Sequence, residues 1–261
     1  MNALWKVARF TATDIFRSKW LPVYTVFFFL IAEGLFRFSG DSGQALVSLT
    51  NITILLIPAA SIIYGALYFY GAREFIELLL AQPVGRKPLF TGLFSGIAGA
   101  LGGGFLIGTG LPCLLHGTAD DRITILAILS IGVMLTLIFV ALALLVAVRS
   151  DEKVRGVGIC LGLWLAFAIL YDGLIWLVLA LFADYPLERA AIVMTTLNPI
   201  DLGRVGIMLR LDIAALMGYT GAVFEQFFGS RVGFTLTSGA MLAWIVAPFM
   251  LALRSFSRKD F

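Results

Sequence analysis

The stretch that decides the fold runs from Ile123 to Val148 and reads ITILAILSIGVMLTLIFVALALLVAV, 26 residues without a charged side chain. About 20 such residues in a helix cross the ~30 Å hydrocarbon core of a bilayer. Because hydrocarbon offers no hydrogen-bond partner to a peptide group, a segment that crosses it is helical or belongs to a closed barrel. The stretch lacks the alternating pattern of a barrel strand. It is therefore predicted to be a transmembrane helix.

Five more apolar stretches of comparable length lie on either side of it. Their predicted bounds are Leu21 to Phe38, Ile52 to Tyr70, Leu93 to Leu115, Val157 to Phe182 and Phe234 to Leu253. Charged residues make up only 13% of the 261 positions, about half their share in soluble domains. We therefore predict an all-α integral membrane protein with six transmembrane helices in a single domain, residues 21–261. A soluble enzyme is excluded.

The basic residues lie mostly on one side of the predicted spans. Thirteen of the 19 precede the first span, follow the sixth, or lie in the loops after the second and fourth spans. They are Lys6, Arg9, Arg17, Lys19, Arg73, Arg86, Lys87, Arg149, Lys153, Arg155, Arg254, Arg258 and Lys259. Cytoplasmic loops carry an excess of Lys and Arg, so both termini are predicted to be cytoplasmic.

Residues 1–20, before the first span, are predicted to form an amphipathic helix on the inner membrane surface. Basic residues occupy one face of this helix. The apolar face consists of Trp5, Ala8, Ala12, Ile15 and Phe16. A polar leader without fixed structure is the alternative.

The segment between the second and third predicted spans, residues 71–91, is predicted to hold a short charged helix that projects from the membrane. Pro83 is expected to end this helix. The candidate contacts for a cytoplasmic partner are Arg73, Glu74, Glu77 and Gln82. A solvated connector without a partner is the alternative.

The segment between the fifth and sixth predicted spans, residues 183–233, is long, and its apolar stretches are too short to cross a bilayer. Asn198, Pro199 and Asp201 fit an N-cap, a proline at N1 and an acidic residue at N3, so a helix is predicted to begin there. We expect one or two helices in or on the outer membrane surface, as a partner-binding or gate element or as a lid. The candidate residues are Asn198, Pro199, Asp201, Arg204, Asp212 and Phe228.

Two acidic residues fall inside predicted spans, where a charged side chain is costly and is a functional candidate by default. Glu33 is followed four residues later by Arg37, in the order that favours an ion pair along a helix. Asp172 has no such neighbour. It is predicted either to hydrogen-bond between helices or to line a polar pathway.

The third predicted span contains three pairs of glycines spaced four residues apart. They are Gly92/Gly96, Gly99/Gly103 and Gly104/Gly108. This small-xxx-small spacing predicts close approach of neighbouring helices.

No catalytic motif occurs in the sequence. The chain lacks the G-x-x-x-x-G-K-[ST] loop of nucleotide-hydrolysing proteins. No cofactor is therefore expected on this chain, and any ATPase activity would reside in a partner subunit. Weak candidates for soft Cu(I) ligands are Cys113, His116, Met194, Met208 and Met217. Ordinary apolar packing is the simpler interpretation of these residues.

The segment EFIELLLAQPVGRKPLFTG, residues 74–92, follows two spans and a surface helix. In that position it resembles the coupling element of ABC-2 type transporter permeases, and the resemblance covers the whole chain. It implies a homodimeric permease of the type V exporter kind in the bacterial inner membrane. The coupling element would dock on a dimer of a cytoplasmic ABC ATPase, which would bind the ATP and Mg.

The outer stretch NPIDLGRVGIMLRLDIAALMGYTGAVFEQFFG, residues 198–229, narrows the resemblance to permeases that serve copper-site maturation of nitrous oxide reductase in denitrification. That resemblance implies a periplasmic copper-handling partner. Two mechanisms fit: mechanical transmission of ATP-driven movement, or passage of a copper or sulfur species. A generic exporter of lipid, peptide or drug, or a membrane anchor that transports nothing, is the alternative.

Overall fold

The computed structural model describes residues 3–82, 85–182, 188–208 and 231–259, and every regular element in these ranges is helical. The α-helices are α1 (Ala3–Arg17), α2 (Trp20–Phe38), α3 (Ser42–Gly71), α4 (Arg73–Leu80), α5 (Arg86–His116), α6 (Arg122–Arg149), α7 (Lys153–Leu165), α8 (Tyr171–Leu181), α9 (Glu188–Leu197), α10 (Pro199–Met208) and α11 (Arg231–Arg258). The predicted all-α class is confirmed.

Six helical stretches of the described chain are long and apolar enough to cross a membrane. They are Trp20–Phe38, Ser42–Gly71, Arg86–His116, Arg122–Arg149, Lys153–Val178 and Thr237–Arg258. The six predicted spans are therefore confirmed. Several helices extend beyond the apolar stretch, because hydropathy marks the hydrocarbon depth and not the end of the hydrogen-bonded helix. The cytoplasmic position of both termini stays a prediction.

Helix α6 lies at the centre of the bundle, which explains why its sequence is apolar on every side. It packs against α3, α5 and α11 along its length, and α10 contacts it as well. Leu135 and Phe139, near its middle, are fully buried. A helix that is enclosed by other helices shows no amphipathic stripe.

Helix α5 uses two of its three predicted glycine pairs to hold neighbouring helices close. A Cβ atom on Gly96 would lie 2.6 Å from Thr11 Cβ of α1, and one on Gly108 would lie 2.5 Å from a backbone oxygen of α2. Close backbone approach of this kind is a main source of helix association in lipid. The third pair, Gly99 and Gly103, has no atom within 4 Å of the corresponding positions.

Helix α1 is amphipathic, and the side that it buries includes Ala8 and Ile15 of the predicted apolar face. Thr11 and Ile15 are 1% and 0% exposed and belong to the side of α1 that packs along α5. Trp5 and Phe16, which were predicted to share the apolar face, are more than half exposed. The glycines of α5 select the buried side, so the two aromatic side chains stay available to the membrane. The inner-surface position of α1 stays a prediction.

The fifth span is interrupted by a π-helical turn, Ala166–Leu170, between α7 and α8. Nothing in the apolar sequence predicted this interruption. A π-helical turn widens the helix by one residue and frees a backbone carbonyl for other partners. The Phe167 carbonyl uses this freedom, since it accepts a hydrogen bond from Asn198.

The predicted helix start at Asn198 and Pro199 is confirmed. The Ile200 backbone N–H donates to Asn198 Oδ1 at 3.0 Å, which caps α10. The first residues of α10 are buried against α6 and α3, and the position of this segment at the outer membrane surface stays a prediction. This helix start can be buried because the Asn198 side chain accepts the Ile200 backbone N–H, which has no partner within α10. The predicted residues Asp212, Met217 and Phe228, and the predicted helix terminator Pro83, lie outside the described residues.

Candidate coupling and transmission sites

Helix α4 presents an exposed surface at the end of the bundle where α3 ends and α5 begins. Ile76 is buried and anchors the helix. Glu74 and Gln82 are exposed, and the apolar Phe75 and Leu78 are 37% and 59% exposed. A charged surface that also exposes apolar side chains is suited to binding another protein.

Arg73, the first residue of α4, ties this helix to the loop between α6 and α7. Its Nε atom donates to Glu77 Oε1 at 3.2 Å, and Nη1 donates to the Asp151 carbonyl oxygen at 3.1 Å. Its Nη2 atom lies 3.6 Å from the Asp151 carboxylate. Of the four residues predicted to contact a partner, Arg73 and Glu77 are therefore engaged within the chain, whereas Glu74 and Gln82 face outward.

Lys259, the residue that follows α11, contacts the same loop between α6 and α7. Lys259 Nζ donates to Asp151 Oδ1 at 2.6 Å and to the Val148 carbonyl oxygen at 2.7 Å. Arg86, at the start of α5, donates to the carbonyl oxygens of Ser257 and Lys259 at 3.2 and 2.6 Å. The hydrogen bond from Lys259 holds the pKa of the Asp151 carboxyl below its usual value.

We call Arg73, Arg86, Asp151 and Lys259 the α4-end network. It connects α4, the α6–α7 loop, the start of α5 and the end of α11. These contacts link α4 to the chain segments that directly follow α6 and α11. Sequence reasoning missed Arg86, Asp151 and Lys259 as members of a site. Their only signals were the short charged loop after α6, which holds Asp151, and the excess of basic residues on one side of the spans, to which Arg86 and Lys259 belong.

A second polar site lies at the opposite end of the bundle, where α8 meets α10. Arg204 Nη1 donates to Asp172 Oδ2 at 3.0 Å and lies 3.2 Å from Asp201 Oδ1. The second distance suits charge attraction, but Asp201 Oδ1 has no hydrogen-bond partner in the described part of the chain. Asp172 therefore pairs with Arg204 of α10, whereas no residue of its own helix was predicted to pair with it.

Asn198 connects this site to the π-helical turn. Its Nδ2 group donates to Asp201 Oδ2 at 2.8 Å and to the Phe167 carbonyl oxygen at 2.9 Å. Burial, together with the nearby charge of Asp172, raises the pKa of Asp201 to about 7. We call Asp172, Asn198, Asp201 and Arg204 the α10-end cluster.

The α10-end cluster contains four of the residues that sequence analysis singled out. It was not predicted as one site, because 32 residues separate Asp172 from Arg204 along the chain. Asn198 and Asp201 are 0% and 5% exposed, and Pro199 is buried with them. These three side chains are internal in this structure, so a direct contact with an outer partner would fall to neighbouring residues.

The remaining polar candidates at this end lie in a small group of their own. Arg37 Nε donates to Glu33 Oε1 at 2.6 Å, the local pair that the spacing predicted. His116 Nε2 lies 3.0 Å from the other Glu33 oxygen, a contact between α5 and α2 that the sequence did not reveal. Within the described residues, no three His, Cys, Asp or Glu side chains come together as metal ligands.

The weak copper candidates are spread through the structure. Cys113 is buried in the apolar core and His116 contacts Glu33. Met194 lies in α9 and Met208 ends α10. Because Cys113 is buried among apolar side chains, it is better explained as a packing residue than as a metal ligand.

Six membrane-crossing helices with a short charged helix after the second define a multi-pass membrane protein. A sequence profile described as ABC-2 family transporter protein matches residues 5–261, and the chain belongs to that family. The chain is similar to a probable ABC transporter permease protein NosY of Pseudomonas aeruginosa, at 28% identity over 99% of both chains. It is also similar to a probable ABC transporter permease protein NosY of Stutzerimonas stutzeri, at 26% identity over 99% of both chains.

Proposed function

We propose that this permease transmits ATP-driven movement from a separate cytoplasmic ATPase to a periplasmic partner. The observation that carries the proposal is the continuous path between its two polar sites. At one end of α6, the Val148 carbonyl oxygen accepts a hydrogen bond from Lys259 of the α4-end network. Asp151, which pairs with Lys259, follows two residues after the helix. Near the middle of α6, Ile131 packs at 3.0 Å from the position of a Cβ on Gly203 of α10.

The helix between these contacts is well suited to transmission. From Ile131 to Val148, α6 rises through 17 residues, which corresponds to about 26 Å at 1.5 Å per residue. Close-packed interiors deform little, so a shift of α4 moves α6 and α10 together. The α10-end cluster then couples α10 to the π-helical turn of the fifth span.

The resemblance supports specific partners. These are a second copy of the chain, a dimer of a NosF-like ATPase that binds ATP and Mg, and a NosD-like copper-handling protein in the periplasm. The complex would serve maturation of the copper site of nitrous oxide reductase, with copper reaching it through the periplasmic partner. The names of the two relatives support the same system.

A second candidate function is transport of a copper or sulfur species by the dimer. Flux of copper or sulfide in vesicles that contain the permease, the ATPase and ATP distinguishes transport from transmission. Transmission predicts maturation without ATP-dependent flux. A generic exporter would instead move its lipid, peptide or drug without the periplasmic partner, and a membrane anchor would be indifferent to ATP hydrolysis.

Reversing the charges of Glu74 and Glu77 to lysine is expected to lower the amount of copurifying ATPase about tenfold, a loss of about 1.4 kcal/mol in binding. Glu74 faces outward, and Glu77 orients Arg73. The measurement is the ratio of ATPase to permease after affinity purification of the permease. The exposed Asp120→Lys at the opposite end of the bundle is the control. Unchanged copurification and unchanged maturation in the double variant would remove α4 as the coupling helix.

Polar substitutions on α9 are expected to weaken binding of the periplasmic partner about fivefold. Val193 and Leu197 are 58% and 57% exposed and lie four residues apart, so they form one apolar patch beside the α10-end cluster. The test is pull-down of the NosD-like protein by Val193→Ser with Leu197→Ser, with expression and dimer formation checked in parallel. If the variant still binds this partner and supports copper loading, the outer segment is a lid and not an output surface.

A further inference from the structure

A cavity of about 770 Å³ opens at the α4 end of the bundle, between the end of α1, the first half of α2 and the second half of α3. It belongs to neither polar site and has no part in the transmission path. Its lining is graded from charged to apolar. Asp14, Arg17 and Ser18 lie at one end, and side chains such as Phe27 and Ile63 continue it into the membrane-crossing part of α2 and α3.

The charged end of the cavity offers a free cation. Asp14 already accepts a hydrogen bond from the Tyr68 hydroxyl at 3.0 Å. Arg17 forms no ion pair with any carboxylate of the described residues. Trp20, which also lines the cavity, is 69% exposed. Arginine and tryptophan together mark the depth of lipid headgroups in membrane proteins.

Tyr24, one of the residues that line the cavity, carries an unsatisfied polar atom. The hydroxyl oxygen of Tyr24 is buried and has no hydrogen-bond partner among the described residues, although Tyr24 lines the cavity. A buried hydroxyl without a partner is costly, and buried tyrosines usually find one. Along α2, Tyr24 comes after Trp20 and before Phe27, so it lies between the charged and the apolar parts of the lining.

We propose that the cavity binds one anionic phospholipid of the adjacent leaflet. The phosphate lies on Arg17, and an acyl chain follows Phe27 and Ile63. The Tyr24 side chain turns towards the lipid, and its hydroxyl donates a hydrogen bond to an ester oxygen. Arg17 is the group that recognises the phosphate, because it forms no ion pair with a carboxylate of the described residues. The Asp14 carboxylate keeps its negative charge and accepts the hydrogen bond of the Tyr68 hydroxyl. The order of polar, hydrogen-bonding and apolar groups along the cavity matches the order along a phospholipid.

The test is native mass spectrometry of the full chain, purified in detergent and titrated with dioleoylphosphatidylglycerol or dioleoylphosphatidylcholine. The wild-type chain is expected to hold one phosphatidylglycerol about fivefold more tightly than phosphatidylcholine, the preference that one basic residue near a membrane surface provides. Arg17→Gln is expected to remove the preference. Arg9→Gln, exposed on α1 and outside the cavity lining, is the matched control and is expected to keep it.

Two further arms separate other occupants. Ala60→Phe fills the apolar end and is expected to lower binding of both lipids, whereas glycerol phosphate, a headgroup without chains, is expected not to compete. Competition by glycerol phosphate would mean that the site binds phosphate alone. A changed monomer-to-dimer ratio in Arg17→Gln and Ala60→Phe, with unchanged lipid binding, would mean that a second copy fills the cavity. Either result, or an unchanged lipid preference in Arg17→Gln, overturns the proposal.

Discussion

Gly108→Leu is expected to prevent α2 from docking on α5 and to destabilise the folded permease by about 3 kcal/mol, the upper end of the cost of overpacking. A Cβ atom at this position would lie 2.5 Å from the Thr25 carbonyl oxygen and 3.2 Å from Phe28 Cβ. Backbone atoms cannot rotate away as a flexible side chain can. In lipid, helices associate largely through such close contact, because the surrounding chains are as apolar as the helices.

The measurement for this prediction is the yield of monodisperse protein in detergent and its melting temperature. Gly103→Leu is the matched control, since it lies on the same helix and has no atom within 4 Å of the new Cβ. It is expected to change stability by less than about 0.5 kcal/mol. Wild-type yield and melting temperature for Gly108→Leu would show that α2 does not pack on α5 as described.

Arg204→Ala is expected to lower stability by about 2 kcal/mol at pH 8 and to interrupt transmission through the α10-end cluster. The change leaves the carboxyl groups of Asp172 and Asp201 without their shared cation. Loss of one partner from a fully buried ion pair costs about 3–5 kcal/mol. The expected cost here is smaller, because about a third of the Arg204 and Asp172 side chains is exposed.

The pH dependence of this variant identifies the carboxyl groups as the cause. The pKa of Asp201 is raised to about 7 in the folded chain, against about 4 for an ordinary aspartate. The folded state therefore binds a proton on the Asp201 carboxyl more tightly than the unfolded state does. The stability gained from that proton is present in full below about pH 4 and is lost as the pH rises towards 7. Without Arg204 the carboxylates repel each other more, and the deficit in melting temperature relative to wild type is expected to grow from pH 5 to pH 8.

The control for Arg204→Ala is Arg155→Ala, an exposed arginine at the other end of the fifth span. It is expected to melt within about 1 °C of wild type at every pH, as surface substitutions usually do. The proposed transmission is measured in the same samples, as ATPase stimulation by the permease and as binding of the NosD-like protein. A deficit that is the same at pH 5 and pH 8 would show that Arg204 acts by packing and not by compensating charge.

The proposed function connects two polar sites through one buried helix, α6, which meets the α4-end network at its end and α10 at Ile131. At the α4 end, the Asp151 carboxylate lies between Arg73 of α4 and Lys259, so α4 and the α6–α7 loop are in contact. At the α10 end, Asn198 binds both Asp201 and the π-helical turn. A π-helical turn is a common place for a span to change its helical register. It gives the fifth span a point at which movement of α10 can be absorbed.

Some of the candidate residues were predictable because their partners are close in the chain. Arg37 follows Glu33 by one helical turn, and the cap of α10 is built by Asn198 and Pro199 within the same few residues. The residues that face a partner far along the chain were not predictable in this way. His116 contacts Glu33 across 83 positions, and no property of either residue's own helix indicates it.

The sequence by itself determined the six membrane-crossing helices, the short charged helix α4 and the start of α10. Hydropathy can be read within a single helix, and helix caps and residue spacing within one or two turns, so all three depend on residues that are close in the chain. Only the tertiary structure decided which side of α1 is buried, where the fifth span changes to a π-helical turn, and that Arg204 pairs with Asp172. These features depend on which surfaces meet in space, and in an apolar bundle that choice comes from the fit of glycine faces and from the need of each buried charge for a partner.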